Sequence, residues 1–476
     1  MGTWAPPEPS TSGATPLDRY FHVTERGSTV RTELIGGLAT WLTMSYILFV
    51  NPSILGSLPD KNGASLPFDQ VLAVTALAAA VLTLAMGLYA NYPFAMAAGL
   101  GLNAFVAFTL VGAFGLSWAQ AMGIIVIEGL AITLLVLTGF RNAVLNAIPM
   151  DLKRAIGIGI GAFIAFIGLS TGCNDAGGCK GIVVTGQGTF VALNPNLSTL
   201  RILVFAIGLA VTAAMVARRV KGALLFGILF TTVVATVINQ VWGHSSIWPS
   251  GIAHIPDKWV SSPHFDLIGD FTLRFSGSLA FWTSIAIVLS VMLSDFFDTM
   301  GTVVGIAGEG GMLDQEGRLP GINRVLLVDS LGAALGGFTS SSSNTTYIES
   351  AAGVSEGART GLASVVVGAL FLLALFFSSL AGVIPPEATA PVLVLVGYFM
   401  MVIVKDINWQ DPSIGIPALL TIVMMPFTFS ITNGVGAGFI AFTVIRILQG
   451  RWKDIHWLML LVSAVFGWYF WHGLLP

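Results

Sequence analysis

Charge is what this chain has least of. Only 9% of its 476 residues are Asp, Glu, Lys or Arg, while 55% are hydrophobic; soluble domains carry roughly a quarter charged residues. That scarcity excludes a soluble globular domain and leaves a multispan membrane protein. No block of basic residues, phosphate-cradling loop, paired CxxC or HExxH motif occurs, so no nucleic-acid partner, cofactor or metal is expected. Nothing at the start reads as a cleavable signal peptide. Cysteine is nearly missing too. Cys173 and Cys179 share one polar loop, where they form a disulfide if the loop is extracellular or stay ordinary thiols. What the chain has in quantity is glycine, 55 residues. Helices in lipid gain little hydrophobic drive to associate, and small residues let their backbones approach closely instead.

A Pro/Ser/Thr-rich tail, residues 1 to 33, precedes the first apolar run. It is expected to be disordered at first, then to lie along the membrane surface with Arg19, Arg26 and Arg31 facing the cytoplasm. Apolar runs follow at 34–55, 71–90, 94–111, 117–138, 154–169, 201–217 and 222–241. After a polar interval at 242–278, a second set occupies 279–299, 325–337, the interrupted 340–356, 361–381, 390–404, 414–430, 433–448 and 456–472. Arg141, Lys153 and Arg154 follow the fourth run and Arg218, Arg219 and Lys221 the sixth, which puts those ends and the N-terminus in the cytoplasm. The loops at 170–200 and 242–278 are then extracellular. Run 456–472 is surplus to this count, as a further span or an interfacial helix.

The stretch SSSSNTTYIESAAGVSEGARTG, residues 340–361, cannot cross a bilayer as an apolar helix, because about twenty apolar residues are needed. Irregular backbone at that depth survives only when buried in protein or lining a wet cavity. The earlier stretch LTLAMGLYANYPFAMAAGLGLNAF has the same plan, a Gly-containing apolar helix followed by an extended segment and small residues. Asn103 in one answers Glu349 in the other. With seven spans between them the copies are inverted, and paired interrupted segments point to a transporter's midplane site.

Five acids fall inside the apolar runs, Glu128, Asp295, Asp298, Asp329 and Glu349, and no Lys or Arg sits well inside any. A charged residue costs about 2.5–3.5 kcal/mol at a helix centre, so ion pairing cannot be the general answer, and protonation or a ligand must be. Asp295 and Asp298, three apart, share a helix face and can line one cavity, or one of them braces a neighbouring helix. Glu128 and Asp329 read as protonated or hydrogen-bonded structural acids. Asn103 carries a carboxamide with donors and acceptors suited to the edge of a planar heterocycle; the alternative is a helix-to-helix bond. Thr345, Thr346 and Tyr347 either present hydroxyls to a ligand or satisfy the broken backbone. Gly157, Gly159 and Gly161 are packing glycines. Acids without a cation suit a neutral ring bearing several N–H groups, since a carboxylate accepts two parallel N–H bonds.

Four segments, ERGSTVRTELIGGLATWLTMSYILFVNPSIL, GLGLNAFVAFTLVG, SDFFDTMGTVVG and SSSNTTYIESAAGVSEGARTG, stand in this order. Together they resemble the azaguanine-resistance group of purine permeases, within the nucleobase–ascorbate (nucleobase cation symporter 2) superfamily. The resemblance implies an all-α polytopic membrane protein of about fourteen segments in a 7+7 inverted repeat, with short strands in segments 3 and 10. It implies a core domain, 34–138 and 279–381, and a gate domain, 139–241 and 382–476. It further implies proton-coupled uptake of adenine, guanine or hypoxanthine across the plasma membrane, by an elevator-type movement; the residues themselves leave proton against sodium open. Its binding positions fall on Asn103, Asp295, Asp298 and Glu349. To these the residue-level reading adds Thr346 and Tyr347 as substrate contacts, and Asp295 and Glu349 as proton carriers. The Pro-rich tail and the CNDAGGC loop lie outside the family pattern. Both a monomer and a homodimer are compatible with the sequence. Two rival readings are a same-fold carrier of anions or other solutes and an intramembrane aspartyl protease built on Asp295 and Asp298, the latter without a GxGD motif.

Overall fold

A computed structural model of the chain describes residues 16–138, 148–171, 182–184, 191–241, 247–248, 251–254, 260–274, 281–314, 318–377 and 383–473. The Pro-rich start of the tail, Arg141, Cys173 and Cys179 lie outside these residues. The fold is helical almost throughout. Helices α1 (Pro16–Phe21), α2 (Val30–Met44), α3 (Ile47–Leu55) and α4 (Phe68–Ala85) come first. The run at 34–55 is thus two helices rather than one, broken at Ser45 and Tyr46. A π-helical turn, Met86–Ala90, prolongs α4. Strand β1 (Met96–Ala98) then leads into α5 (Leu100–Ala104), which widens to a π-helix over Phe105–Ala113. Helices α6 (Trp118–Thr138) and α7 (Met150–Thr171) follow, then a small hairpin of β2 (Val183–Val184) and β3 (Ala192–Leu193), then α8 (Leu200–Ala217) and α9 (Ala223–Val241).

The second half repeats the plan. It contains α10 (Phe281–Glu309), α11 (Ile322–Phe338), strand β4 (Asn344–Thr346), the short α12 (Ser350–Ser355) and α13 (Gly361–Ala374). Helices α14 (Pro386–Met401), α15 (Pro412–Thr428), α16 (Ile431–Leu448) and α17 (Trp457–Gly473) complete it. Among the described residues nine helical spans are long and apolar enough to cross a membrane, the first being α2 and α3 taken together, and four shorter apolar helices accompany them. The protein is a multi-pass membrane protein. The surplus run forms α17, laid along α16: the Thr443 and Ser463 hydroxyls are 2.7 Å apart, and Tyr469 donates to Asn433 Oδ1 at 3.1 Å.

The two interrupted segments meet. Strands β1 and β4 pair antiparallel, with Met96 opposite Thr346, Ala97 opposite Thr345 and Ala98 opposite Asn344. Because the strands run in opposite directions, α5 and α12 leave the crossing in opposite directions as well. The sequence places an extended stretch in each segment; their mutual pairing is what lets both exist at membrane depth, since each supplies the other's backbone partners.

Around this crossing the helices pack through small residues. A Cβ added to Gly129 of α6 would lie 2.1 Å from the Ala334 nitrogen of α11, and one on Gly397 of α14 would lie 2.4 Å from the Gly161 oxygen of α7. Backbone meets backbone at both points, as expected where packing rather than water expulsion joins helices. The polar chain before α2 is also packed down: the Arg26 guanidinium donates to Asn91 O at 2.5 Å and lies over the Tyr92 ring, and Tyr20 donates to Leu88 O at 2.9 Å. Arg26 thereby ties this segment to the end of α4.

Two glycine substitutions should therefore differ in sign. Gly129→Val forces atoms into the α11 backbone, and overpacking costs about 1–3 kcal/mol or more; the melting temperature in detergent should fall and membrane yield with it. Gly157→Ala meets only Ile403 Cδ1 at 4.0 Å, so it should leave stability unchanged or raise it by about 0.4–1 kcal/mol.

Candidate functional site

The crossing is stitched by side chains as well as by the strands. Gly99 N donates to Ser343 O at 2.8 Å and Tyr347 N to Ala95 O at 2.9 Å, which extends the ladder at both ends. Thr83 Oγ1 accepts from Met96 N at 2.9 Å, and Ser350 Oγ accepts from Ala95 N at 2.9 Å. Asp329 of α11 holds the outer edge of β4: its Oδ1 accepts from Thr346 N at 2.9 Å and from Thr346 Oγ1 at 2.8 Å, and its Oδ2 accepts from Thr299 Oγ1 at 2.6 Å. Thr299 in turn lies 2.7 Å from Thr345 Oγ1. An ionised carboxylate is acceptor-only, and here three donors engage both of its oxygens. Asp329 therefore fits the structural role that the sequence suggested.

Thr346 and Tyr347 are drawn into the same brace. Both are buried. The Thr346 hydroxyl is spent on Asp329, and the Tyr347 hydroxyl donates to the Ala98 carbonyl of β1. Both hydroxyls are thus engaged within the crossing itself.

Glu349 precedes α12 and is partly exposed. Its Oε1 accepts from the Tyr46 hydroxyl at 2.5 Å. Tyr46 lies in the break between α2 and α3, 303 positions away in sequence, and sequence reasoning did not single it out; a lone tyrosine in an apolar run carries no local signal. Asp298 of α10 lies within electrostatic reach of Glu349 and Asp329 and is exposed. On its face of α10, Gly301, Gly305 and Gly308 are exposed too, and a Cβ at Gly301 or Gly305 would meet nothing within 4 Å. At spacings of three and four these residues form one open stripe from the acid to the end of the helix.

Asp295, three residues before Asp298, has different surroundings. It is 1% exposed, and Ser343 Oγ donates to its Oδ2 at 3.2 Å. It lies beside Glu128 of α6. The two aspartates share a helix face but do not line one space: one faces the packed interior, the other the open stripe. Asn103, one turn into α5, is fully buried, and neither its oxygen nor its nitrogen has a hydrogen-bond partner among the described residues. A cavity of about 460 Å3 lies elsewhere, between α3, the π-helix after α5, α7 and α14, lined by Pro52, Ser53, Phe108, Ile167, Thr389 and Leu393 among others. None of the five acids lines it.

The site thus offers two open carboxylates, Glu349 and Asp298, beside a rigid strand crossing, and an unengaged carboxamide, Asn103, in the helix that follows β1. Such a set can accept N–H bonds from a neutral ligand. Among the described residues it offers no basic group to an anion.

Comparison with known proteins agrees in kind. A Permease family model (Xan_ur_permease) matches residues 31–437. The adenine permease AdeQ of Escherichia coli is 39% identical over 451 residues, covering 94% of this chain and 95% of that protein. The guanine/hypoxanthine permease PbuG of Bacillus subtilis is 38% identical over 460 residues, covering 95% and 99%. Among solved structures, the transmembrane domain of the cyanobacterial bicarbonate transporter BicA superposes with a TM-score of 0.58 at 13% identity, over 86% of this chain and 97% of that one. Murine Slc26a9, an anion transporter in its inward-facing state, gives 0.60 at 11% identity, over 93% and 74%. At such identities the last two likenesses speak for the fold alone.

The brace has its own test. Asp329→Ala orphans a backbone N–H and two hydroxyls beside it, and each unsatisfied buried donor costs about 1–3 kcal/mol. The purified variant should melt well below wild type. An unchanged melting temperature would contradict the assignment of Asp329 to the strand edge.

Proposed function

This chain belongs to the Permease family, alongside those adenine and guanine/hypoxanthine permeases, and from that premise we propose that it imports purine nucleobases together with protons across the plasma membrane. The observation that carries the reading is the position of Glu349, a carboxylate at the end of a braced strand and the start of a half-helix, oriented by Tyr46 and open to a ligand. A purine is planar, neutral and edged with N–H groups. Glu349 accepts a parallel pair of these, and charge-assisted bonds of that kind are roughly twice as strong as neutral ones. Asn103 matches the remaining donors and acceptors of the ring edge. Asp298, on the open stripe, either contacts the base directly or holds the water and charge around it. The cytoplasmic N-terminus follows from the basic residues after the fourth and sixth runs.

The fold is shared with anion carriers, which makes an anion the second reading. It fares poorly here, because two open acids without a cation repel an anion. A protease reading fares worse: Asp295 is buried beside Glu128 while Asp298 opens onto the stripe, so they make no facing dyad.

For the movement, residues 34–138 and 279–381 form a core that slides against a gate of 139–241 and 382–476, joined within itself by the strand crossing. Support comes from the concentration of hydrogen bonds around β1 and β4 and from small contacts across the boundary, such as Gly101 of α5 against Ile160 of α7. The glycine stripe on α10 suits a face that is uncovered in one state and covered in the other. Rigid displacement of one bundle against another carries such a site across the membrane.

Uptake of labelled adenine, guanine and hypoxanthine by cells lacking their own purine permeases, at two pH values with and without sodium, tests the function. Acid pH should stimulate uptake and sodium should not matter. Glu349→Gln replaces an acceptor oxygen with a donor, and losing a charged hydrogen bond costs about 1.5–3 kcal/mol, so uptake at low substrate should fall roughly tenfold or more with membrane expression retained; uptake within twofold of wild type would remove Glu349 from the site. The movement has a separate check. A disulfide between Gly101→Cys and Ile160→Cys, across the boundary, should arrest uptake, whereas one between Ala97→Cys and Thr345→Cys, within the core, should not. Full uptake with the first bridge closed would rule out sliding.

A further inference from the structure

A second polar cluster lies deeper than the proposed base contacts and is not used by them. Glu128, near the middle of α6, is 0% exposed, and neither of its carboxyl oxygens has a hydrogen-bond partner among the described residues. The helix carrying it packs against α10, and Asp295 is the α10 acid that acts on it most directly. Asp295 Oδ1 is likewise buried without a partner, and only its Oδ2 has a donor, Ser343 Oγ at 3.2 Å. Two ionised carboxylates have no hydrogen to share, whereas a carboxyl and a carboxylate do. One proton between them engages two of the three oxygens left without a partner and removes one of two buried like charges.

The surroundings sharpen the choice of ligand. The other charged groups acting on the pair are Asp329 from α11 and Asp298 farther along α10, both acids; Ser343, before β4, is the hydroxyl that reaches it. None is basic. Asp329 is already engaged by Thr299 and Thr346 through both oxygens. A hard metal cation asks for about six oxygens, and no group of three or more His, Cys, Asp or Glu placed to hold a metal ion occurs among the described residues. A proton needs only the two facing carboxyls.

From this arrangement we propose that Glu128 and Asp295 form one proton-binding pair, and that its proton is the one carried with the base. The inference rests on the proton-coupled reading above and assigns that proton to a place. It makes Glu128 a coupling residue rather than a structural acid, and it separates the proton from the Glu349 carboxylate that receives the base. Binding is a simple balance: a proton from water adds to a carboxylate oxygen of the pair, and the same O–H bond breaks to return it to water on the other side. The pair titrates as a unit. Its link to the base runs through Ser343, whose hydroxyl serves Asp295 while its carbonyl accepts from Gly99 N at 2.8 Å, at the head of the helix that carries Asn103. Ser343 also leads directly into β4. Loss of the proton leaves two facing anions competing for one hydroxyl, at the residue that joins the two strands.

The test uses the full-length protein in liposomes that contain a pH-sensitive dye, with the labelled purine that wild type carries. Wild type should acidify the lumen in step with base entry. Glu128→Gln, whose amide donates permanently to Asp295, should still bind the base but lose lumenal acidification and the dependence of uptake on an imposed pH gradient. Acidification by Glu128→Gln at the wild-type ratio of protons to base overturns the pair. If wild type itself moves no protons, or requires sodium, proton coupling fails and the pair falls with it, an outcome told apart by the wild-type trace alone. Should Glu128→Gln not reach the membrane folded, Glu128→Asp decides: it keeps the acid on a shorter arm, so the pH of half-maximal uptake should shift, and an unchanged pH profile overturns the proposal.

Discussion

Backbone groups deep in a membrane have no water to fall back on, and everything distinctive about this protein follows from how that constraint is met at one place. Six residues of two interrupted segments, Met96–Ala98 and Asn344–Thr346, pair with each other, and Thr83, Ser350 and Asp329 satisfy groups the short ladder leaves over. Each unsatisfied amide in hydrocarbon costs several kcal/mol. A rigid, polar, non-helical node is therefore affordable only because it is closed on itself. Once built, it gives two half-helices fixed starting points and places a carboxylate where no continuous helix could hold one.

The five intramembrane acids divide the work according to their donors. Asp329 has three and is structural. Asp295 has one and shares its remaining need with Glu128, which has none. Glu349 has the Tyr46 hydroxyl, and Asp298 opens onto the glycine stripe of α10. The gradient from satisfied to open acid runs from the brace of the strand outward, and the proposed function divides along it into holding the node, carrying a proton and receiving a substrate. The fold relatives that carry anions share the scaffold, while relatives near 38% identity across the whole chain carry purines by name. In the proposed function it is the side chains placed at the crossing, rather than the scaffold, that choose the solute.

Much of this was legible in the sequence where composition changes abruptly. The shift from apolar residues to SSSSNTTYIESAAG marks a segment that cannot be an ordinary span, and its echo in YPFAMAAGLGLNAF gives its partner. Five acids without a cation stand out against 9% charge. What stayed hidden was long-range or phase-dependent. Tyr46 matters only through a contact 303 residues away. Glu128 looked structural because nothing near it in the chain announces Asp295. The π-helical turns at Met86–Ala90 and Phe105–Ala113 fall in stretches apolar on every side, where no polar face records a change of helical period. The fate of Thr346 and Tyr347 was open for a similar reason: a hydroxyl beside broken backbone serves a ligand or the chain, and only the position of Asp329 and Ala98 decides.

The central claim is that this crossing, with its uncompensated acids, selects a neutral N–H-bearing ring over the anions carried by proteins of the same fold. Equilibrium binding tests it without transport. Purified protein is incubated with labelled adenine, guanine or hypoxanthine, and unlabelled purines or bicarbonate are added as competitors. Saturable binding that unlabelled purines displace and a large excess of bicarbonate leaves intact is the result the account predicts. Displacement of the base by bicarbonate, or saturable binding of labelled bicarbonate where no purine binds, would contradict it.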